Sequence, residues 1–192
     1  VKSQLNTSYA TILNLYGKYQ DDLFKVYPLS LHYFQSHKNE QKEALRLIEA
    51  KLKLLKDWGH IDANGLTQKG LFAKSSYGYE LILSELYDQQ ILEQLDEFGL
   101  GIVAAAVVFE PRKNQRIPSG LSKPTHRIKR TCEEIYDKIK HKEQRFRIYP
   151  FSKIPYFHMS LAMEAWLRGT TFDKILRFSD TDEGEVVRYF RM

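Results

Sequence analysis

Between Gly99 and Phe109 the chain reads Gly-Leu-Gly-Ile-Val-Ala-Ala-Ala-Val-Val-Phe, with no charge and no hydrogen-bonding side chain. A helix built from this run has no face suited to water, so other elements must cover it. The pattern predicts a helix over Phe98–Phe109, ended by Glu110-Pro111 and buried centrally. Its glycines and alanines would let neighbouring helices approach closely. The run is about half of the ~20 residues that a bilayer span requires. A chain organised around it has to be a packed helical protein.

The flanking segments supply the helices. Tyr9, Ile12, Leu13 and Tyr16 repeat at helical spacing, with Thr7 or Ser8 as the capping residue. Pro28 divides the apolar stretch Asp21–Gln35, because proline has no amide to donate. Lys38–Trp58 predicts a long helix with Leu45, Ile48, Leu52 and Leu55 on one face. Asn64-Gly65 then predicts a tight hairpin between short strands at Ile61 and Leu66, both central turn residues taking positive φ. Thr67 caps a helix through Ala73. Further helices follow at Tyr79–Asp88, near Gln90–Leu95, and from Ser122 to about Arg147, where Ile128, Cys132, Ile135 and Ile139 form one stripe. Beyond Pro150 and Pro155 come Phe157–Arg168, stopped at Gly169, a short Thr171–Phe178, and Asp182–Met192. The packing residues are expected to include Trp166, Tyr33, Phe34 and Tyr77.

The positive charge is concentrated. Arg112–Arg147 holds twelve basic and four acidic residues, a local +8 against +5 for the chain, so the remainder carries −3. A positive field on a near-neutral body attracts polyanions, nucleic acid above all. A solvated helix face plus a polar loop, Pro111–Leu121, is the plainer alternative. No strong apolar face accompanies the charge, so a membrane surface is not expected.

Enzymatic signatures are missing. The sequence has no G-x-x-x-x-G-K-[ST] phosphate loop, no magnesium-holding D-E-x-[DH] box, no H-E-x-x-H and no G-x-S-x-G. One cysteine, Cys132, excludes an internal disulfide and lies on an apolar stripe, as a buried structural thiol does. Glu133-Glu134 and Glu183/Glu185 are expected on solvated surfaces. No catalytic residue, metal site or cofactor is expected here. With no signal-peptide pattern, a reducing, cytoplasmic setting is expected. The chain opens without Met and stops inside a helix, which suggests a piece of a larger protein.

Three stretches, in order, resemble one family. Ser3–Leu15 (Ser-Gln-Leu-Asn-Thr-Ser-Tyr-Ala-Thr-Ile-Leu-Asn-Leu) is similar to the S-x-F-x-x-[ST]-Y-x-M-x-L-N-L helix that follows the motor of Ski-like and HelY-like RNA helicases. Leu55–Ile61, Leu66–Ala73 and Tyr79–Leu86 resemble that family's L-x-x-L-G-[FY]-[IV], L-T-x-K-G-R-x-A and E-L-L-L-T-E-L. Ala165–Phe172 and Asp180–Arg191 are similar to the A-W-x-x-G-x-x-F and T-D-x-x-E-G-x-[IL]-[IV]-R-x-x-R-R-L of the DSHCT domain, the C-terminal helical bundle of these helicases. There are departures. Phe34-Gln35 runs directly towards Lys38, without the arch insert of exosome-associated members, which resembles a bacterial or organellar type. Lys69-Gly70-Leu71 replaces K-G-R, and Arg191-Met192 replaces the closing arginine pair.

The resemblance implies a mainly α fold: a winged-helix-like segment with a small β-hairpin (1–77), then an antiparallel helical bundle (78–192). It implies an accessory, RNA-channel-forming region of an ATP-dependent RNA helicase in RNA processing or decay. ATP and magnesium would belong to the motor of the longer protein. The implied partners are single-stranded RNA, motor domains of the same chain and RNA-decay nucleases. The expected nucleic-acid contacts are Arg188, Arg191, Glu185, Arg112, Lys113, Arg116, Lys129 and Arg130. In the last helix Asp180 or Thr181 would cap, Gly184 would allow a close crossing, and Val186, Val187 and Phe190 would face the core. Arg188 and Arg191, three apart, would share the exposed side, a spacing suited to successive phosphates. A non-enzymatic winged-helix DNA-binding regulator is the rival, with its basic residues near Lys51–Lys56; a pure protein-interaction bundle is a third reading.

Overall fold

A computed structural model describes residues 7–191. Ser3–Asn6 of the first motif, and Met192, lie outside the described residues. The chain is mainly α. In order it forms α1 (Tyr9–Tyr19), α2 (Leu23–Val26), α3 (Leu31–Gln35), α4 (Lys38–Asp57), β1 (Ile61–Asp62), β2 (Gly65–Leu66), α5 (Gln68–Ser75) and α6 (Glu80–Asp88). Then come α7 (Glu97–Val108), α8 (Lys123–Arg145), α9 (Ser160–Leu167), α10 (Phe172–Ile175) and α11 (Glu183–Arg191), with short 3-10 turns between several of them. Two compact units result. One takes the chain up to Asp88 and adds Lys138–Ser152; the other holds Gln89–Asp137 and everything from Lys153 on.

In the first unit α1 packs against α4, α5 and β2. Ser8 caps α1 by accepting the Thr11 amide at 3.0 Å. Ile48, Leu52, Leu54 and Leu55 bury one side of α4. The hairpin pairs Ile61 with Leu66 and Asp62 with Gly65. Its central residues are therefore Ala63 and Asn64, one step earlier than the Asn-Gly pair expected. The Asp62 carboxylate accepts the Asn64 amide at 2.7 Å and moves the turn; Gly65 has positive φ and Asn64 does not. Thr67 caps α5 through the Gly70 amide at 3.1 Å. Gly70 lets α5 lie against the hairpin: a Cβ there would sit 2.0 Å from the His60 carbonyl oxygen.

Two buried polar groups complete this unit. Lys69 is 6% exposed, pairs with the buried Glu85 and with Asp88 at 3.2 Å, and donates to the Trp58 carbonyl at 3.1 Å. Glu143, fully buried, accepts from Tyr9 Oη at 2.9 Å and from the Ser152 hydroxyl and amide at 2.8 and 2.9 Å. Burial still pushes its carboxyl above the usual range. Two expected packing residues are on the surface instead. Phe34 is 82% exposed, because α3 has only five residues and Tyr33 makes its ring contact, with Tyr27. Tyr77 sits at the tip of a turn closed by Tyr79 N–H on the Ser76 carbonyl.

The second unit is built on α7. Asp96 caps it through the Gly99 amide at 2.8 Å. Ile102, Val103, Ala105, Ala106 and Val107 are buried, whereas Leu100, 43% exposed, and Ala104 lie on the surface, so the uncharged run is covered only in part. Gly101 permits the close crossing with α9: a Cβ there would meet Leu167 Cδ1 at 2.7 Å and Met163 Cγ at 3.4 Å. Ala105, Phe109, Met159, Ala162, Met163, Ile175, Val186 and Tyr189 share one core. Cys132 and Ile135 lie on the buried stripe of α8, and burial raises the Cys132 thiol to about 12, which makes it inert. Trp166 corrects its expectation. It is 45% exposed, since the neighbouring positions Ala162, Met163 and Ala165 fill the core and leave it beside them, its ring 4.9 Å from Phe190.

Candidate nucleic-acid interface

Helix α11 is held at its start and along its inner face. Asp182 caps it, accepting the Glu185 amide at 2.9 Å, in place of the Asp180 or Thr181 expected. That amide and the Arg112 guanidinium hold the Asp182 carboxyl below its ordinary range. The residues before the cap are occupied elsewhere. Gln115 Nε2 donates to the Asp180 carbonyl at 2.6 Å and to Thr181 Oγ1 at 3.1 Å, and the Arg116 amide donates to Asp180 Oδ2 at 3.3 Å. The loop after α7 is thereby stitched to the start of α11.

The inner face differs by one position from the expected one. Val186 and Tyr189 are buried, while Val187 is 42% exposed and Phe190 half-buried. Tyr189 decides the rotation: its ring lies 4.7 Å from Phe109, and its hydroxyl donates to the Glu110 carbonyl at 3.3 Å. Gly184 makes no close crossing, because a Cβ there would meet only Asp182 Oδ1, at 3.5 Å. Arg188 and Arg191 are both exposed, as the spacing predicts. The Arg188 guanidinium lies 5.4 Å from the Tyr189 ring centre. Its charge adds to the pull of Lys153, the main cause, in holding the Glu110 carboxyl low.

The other expected contacts divide into groups. Arg112 and Glu185 engage each other, at 3.0 Å, and Arg112 also reaches Asp182 at 2.7 Å. Lys113 is exposed in the loop, and Arg116 lies on the wall of a cleft with Arg168 and Arg177. Lys129 and Arg130 pair within α8 to Glu133 at 2.7 Å and Glu134 at 2.9 Å. Exposed pairs of this kind contribute little to stability and stay exchangeable for an outside anion. Arg168 and Arg177 were not among the expected residues. The signal for them is the spread of arginine, serine and threonine over 168–179, which no single motif collects.

The basic residues that a DNA regulator would use are engaged. Lys51 Nζ donates to the Thr7 carbonyl at 2.7 Å, Lys53 pairs with Glu49 at 2.6 Å, and Lys56 with Asp21 at 3.3 Å. Among the described residues no group of three or more His, Cys, Asp or Glu side chains is placed to hold a metal ion, and no helix is long and apolar enough to cross a membrane.

The DSHCT (NUC185) domain model matches residues 63–192, and the chain belongs to that family. It is similar to the DExH-box ATP-dependent RNA helicase DExH10 of Arabidopsis thaliana, 29% identical over 146 residues, which cover 72% of this chain and 14% of the relative. It is likewise similar to the antiviral helicase SKI2 of Saccharomyces cerevisiae, 28% identical over 154 residues, 73% of this chain and 12% of the relative. The chain thus corresponds to only 12–14% of the length of these relatives.

Proposed function

We propose that the chain is a C-terminal accessory region of an ATP-dependent RNA helicase, and that α11 helps line the path of single-stranded RNA. The observation that carries this is the mounting of α11. Buried Val186 and Tyr189 and the Asp182 cap fix the helix, and two exposed arginines three positions apart project from it. A guanidinium on a fixed backbone loses less entropy on binding a phosphate than one on a mobile segment. Both relatives are named as helicases, one of them as an RNA helicase, which supports the class. ATP and magnesium are assigned to motor domains of the longer protein, since no phosphate loop occurs in this sequence. Those motor domains are the intramolecular partners; RNA-decay nucleases are the external ones, in a cytoplasmic setting. Lys51, whose ammonium group is held by the Thr7 carbonyl, weighs against the DNA-binding reading.

The test compares two arginines in a helicase carrying this region. Arg145 is 70% exposed near the end of α8, 3.9 Å from Asp57. Losing it removes one unit from a diffuse field. Arg188→Ala is expected to lower RNA-stimulated turnover several-fold with unchanged melting behaviour, and Arg145→Ala to have little effect at physiological salt. Equal effects would contradict the assignment of α11. Unfolding by Arg188→Ala would instead make Arg188 a structural partner of Glu110.

A further inference from the structure

The unit that carries α11 contains a cleft of about 860 Å³, within the ~300–1,000 Å³ range of sites that enclose small ligands. Its walls come from the stretch 116–122, from one face of α9 and from residues 177–180 just before α11. Three guanidinium groups line it. Arg168 is held in place by Glu164 at 2.9 Å and lies over the Phe98 ring at 4.8 Å. Among the described residues no ion pair engages the guanidinium of Arg116 or of Arg177. Asp180, also on the wall, receives the backbone amide of Arg116. Phe178 is 41% exposed on the same wall, and the neighbouring Ser179 hydroxyl is buried with no hydrogen-bond partner.

We propose that this cleft takes up a nucleotide of single-stranded RNA, with phosphate oxygens on Arg116 and Arg177 and a base against Phe178. The proposal rests on the RNA reading above and adds a second site to it. An aromatic face beside unpaired guanidinium groups is the combination that holds single strands without sequence preference. Basic side chains and one aromatic ring line the same cleft, the two kinds of contact that a phosphate and a base can make.

The experiment uses the chain with a fluorescent oligo-uridylate and a matching oligomer carrying 4-thiouridine for photo-crosslinking. Arg116→Ala/Arg177→Ala is expected to weaken binding about tenfold and to flatten the slope of log K against log[salt] by about 1.4, at ~0.7 per phosphate lost. Phe178→Ala should weaken binding about fivefold with the slope unchanged, and the crosslink should map to the peptide containing Phe178. Unchanged melting of each variant checks the fold, because these side chains are exposed. Wild-type affinity in the double variant, with crosslinks confined to the peptide of Arg188 and Arg191, overturns the cleft site and leaves the role of α11 standing. No RNA binding by the unmodified chain overturns both. An aspartate-rich peptide that binds the chain but not the double variant, with RNA affinity unaffected, assigns the cleft to a protein partner and overturns the nucleotide site.

Discussion

At residue scale the chain's most consequential buried groups are His60 and Gly70. His60 is fully buried with its Nε2 2.9 Å from Ser84 Oγ, and burial, reinforced by Lys69, lowers its pKa to about 3 from an ordinary 6.5. The unfolded chain therefore binds a proton between pH 6.5 and 3 that the folded chain refuses. This contribution to stability is complete above 6.5 and is lost as pH falls, at about 1.4 kcal/mol per pH unit. Chemical denaturation at pH 7, 6, 5 and 4 should show that decline, and His60→Asn, which never charges, should flatten it; an identical profile in the variant would refute the assignment. Gly70→Ala is expected to destabilise by about 1–3 kcal/mol, since its Cβ would meet a backbone carbonyl that cannot swing aside; denaturant midpoints measure this, and a neutral result would contradict the close packing of α5 on the hairpin. Single residues were unevenly legible in sequence. Cys132 was readable because its stripe repeats at helical spacing. Trp166 was not, because an aromatic residue beside a buried stripe and one within it have nearly the same local pattern. Gly70 and Gly101 carry the close approaches, yet nothing local distinguishes them from Gly184, where no neighbour comes near.

Among the elements, α7 was the most legible, because a run without polar side chains has to bury most of its surface, although Leu100 and Ala104 stay exposed. Helix α11 was legible in extent and less so in rotation. Val186, Val187, Tyr189 and Phe190 are all large enough for a core, and the Tyr189 ring on Phe109 chooses among them. The hairpin shows a similar limit: Asn64-Gly65 marks a turn, but the Asp62 side chain sets which residues are central. The cap of α11 offers an element-scale prediction. Asp182→Ala removes both the acceptor for the Glu185 amide and the main partner of Arg112, so α11 should fray and melt at lower temperature. The Asp182 carboxyl is held low in the folded chain, so the stabilisation is present above the ordinary carboxylate range and disappears as pH falls through the lowered value. Wild type and Asp182→Ala should converge in stability at strongly acidic pH and separate near neutrality. Amide exchange across Glu183–Arg191 reads it directly; equal protection at neutral pH would show that the cap contributes nothing.

For the whole molecule, the family was legible from three motifs in order, whereas the site was legible only in part. The motifs point to α11, and the loop after α7 that ties to it carries its own basic residues, Arg112 and Arg116. The cleft draws its arginines from segments about fifty and sixty residues apart in the chain, so no motif could collect them. Arg112 and Glu185, both expected to touch RNA, pair with each other; any RNA that uses them has to compete with that pair. A chain corresponding to 12–14% of its helicase relatives is expected to bind single strands weakly by itself, because most contacts would come from the motor. The most direct measurement is equilibrium binding of the chain to a labelled single-stranded RNA across a salt series, alongside duplex DNA of the same length and the variant Arg188→Ala/Arg191→Ala. The account predicts weak binding whose log K falls with log[salt] at a slope near −3, as for about four neutralised phosphates, a clear preference for the single strand, and a loss of affinity in the variant. Binding that ignores salt, tighter binding to duplex DNA, or an unaffected variant would contradict it.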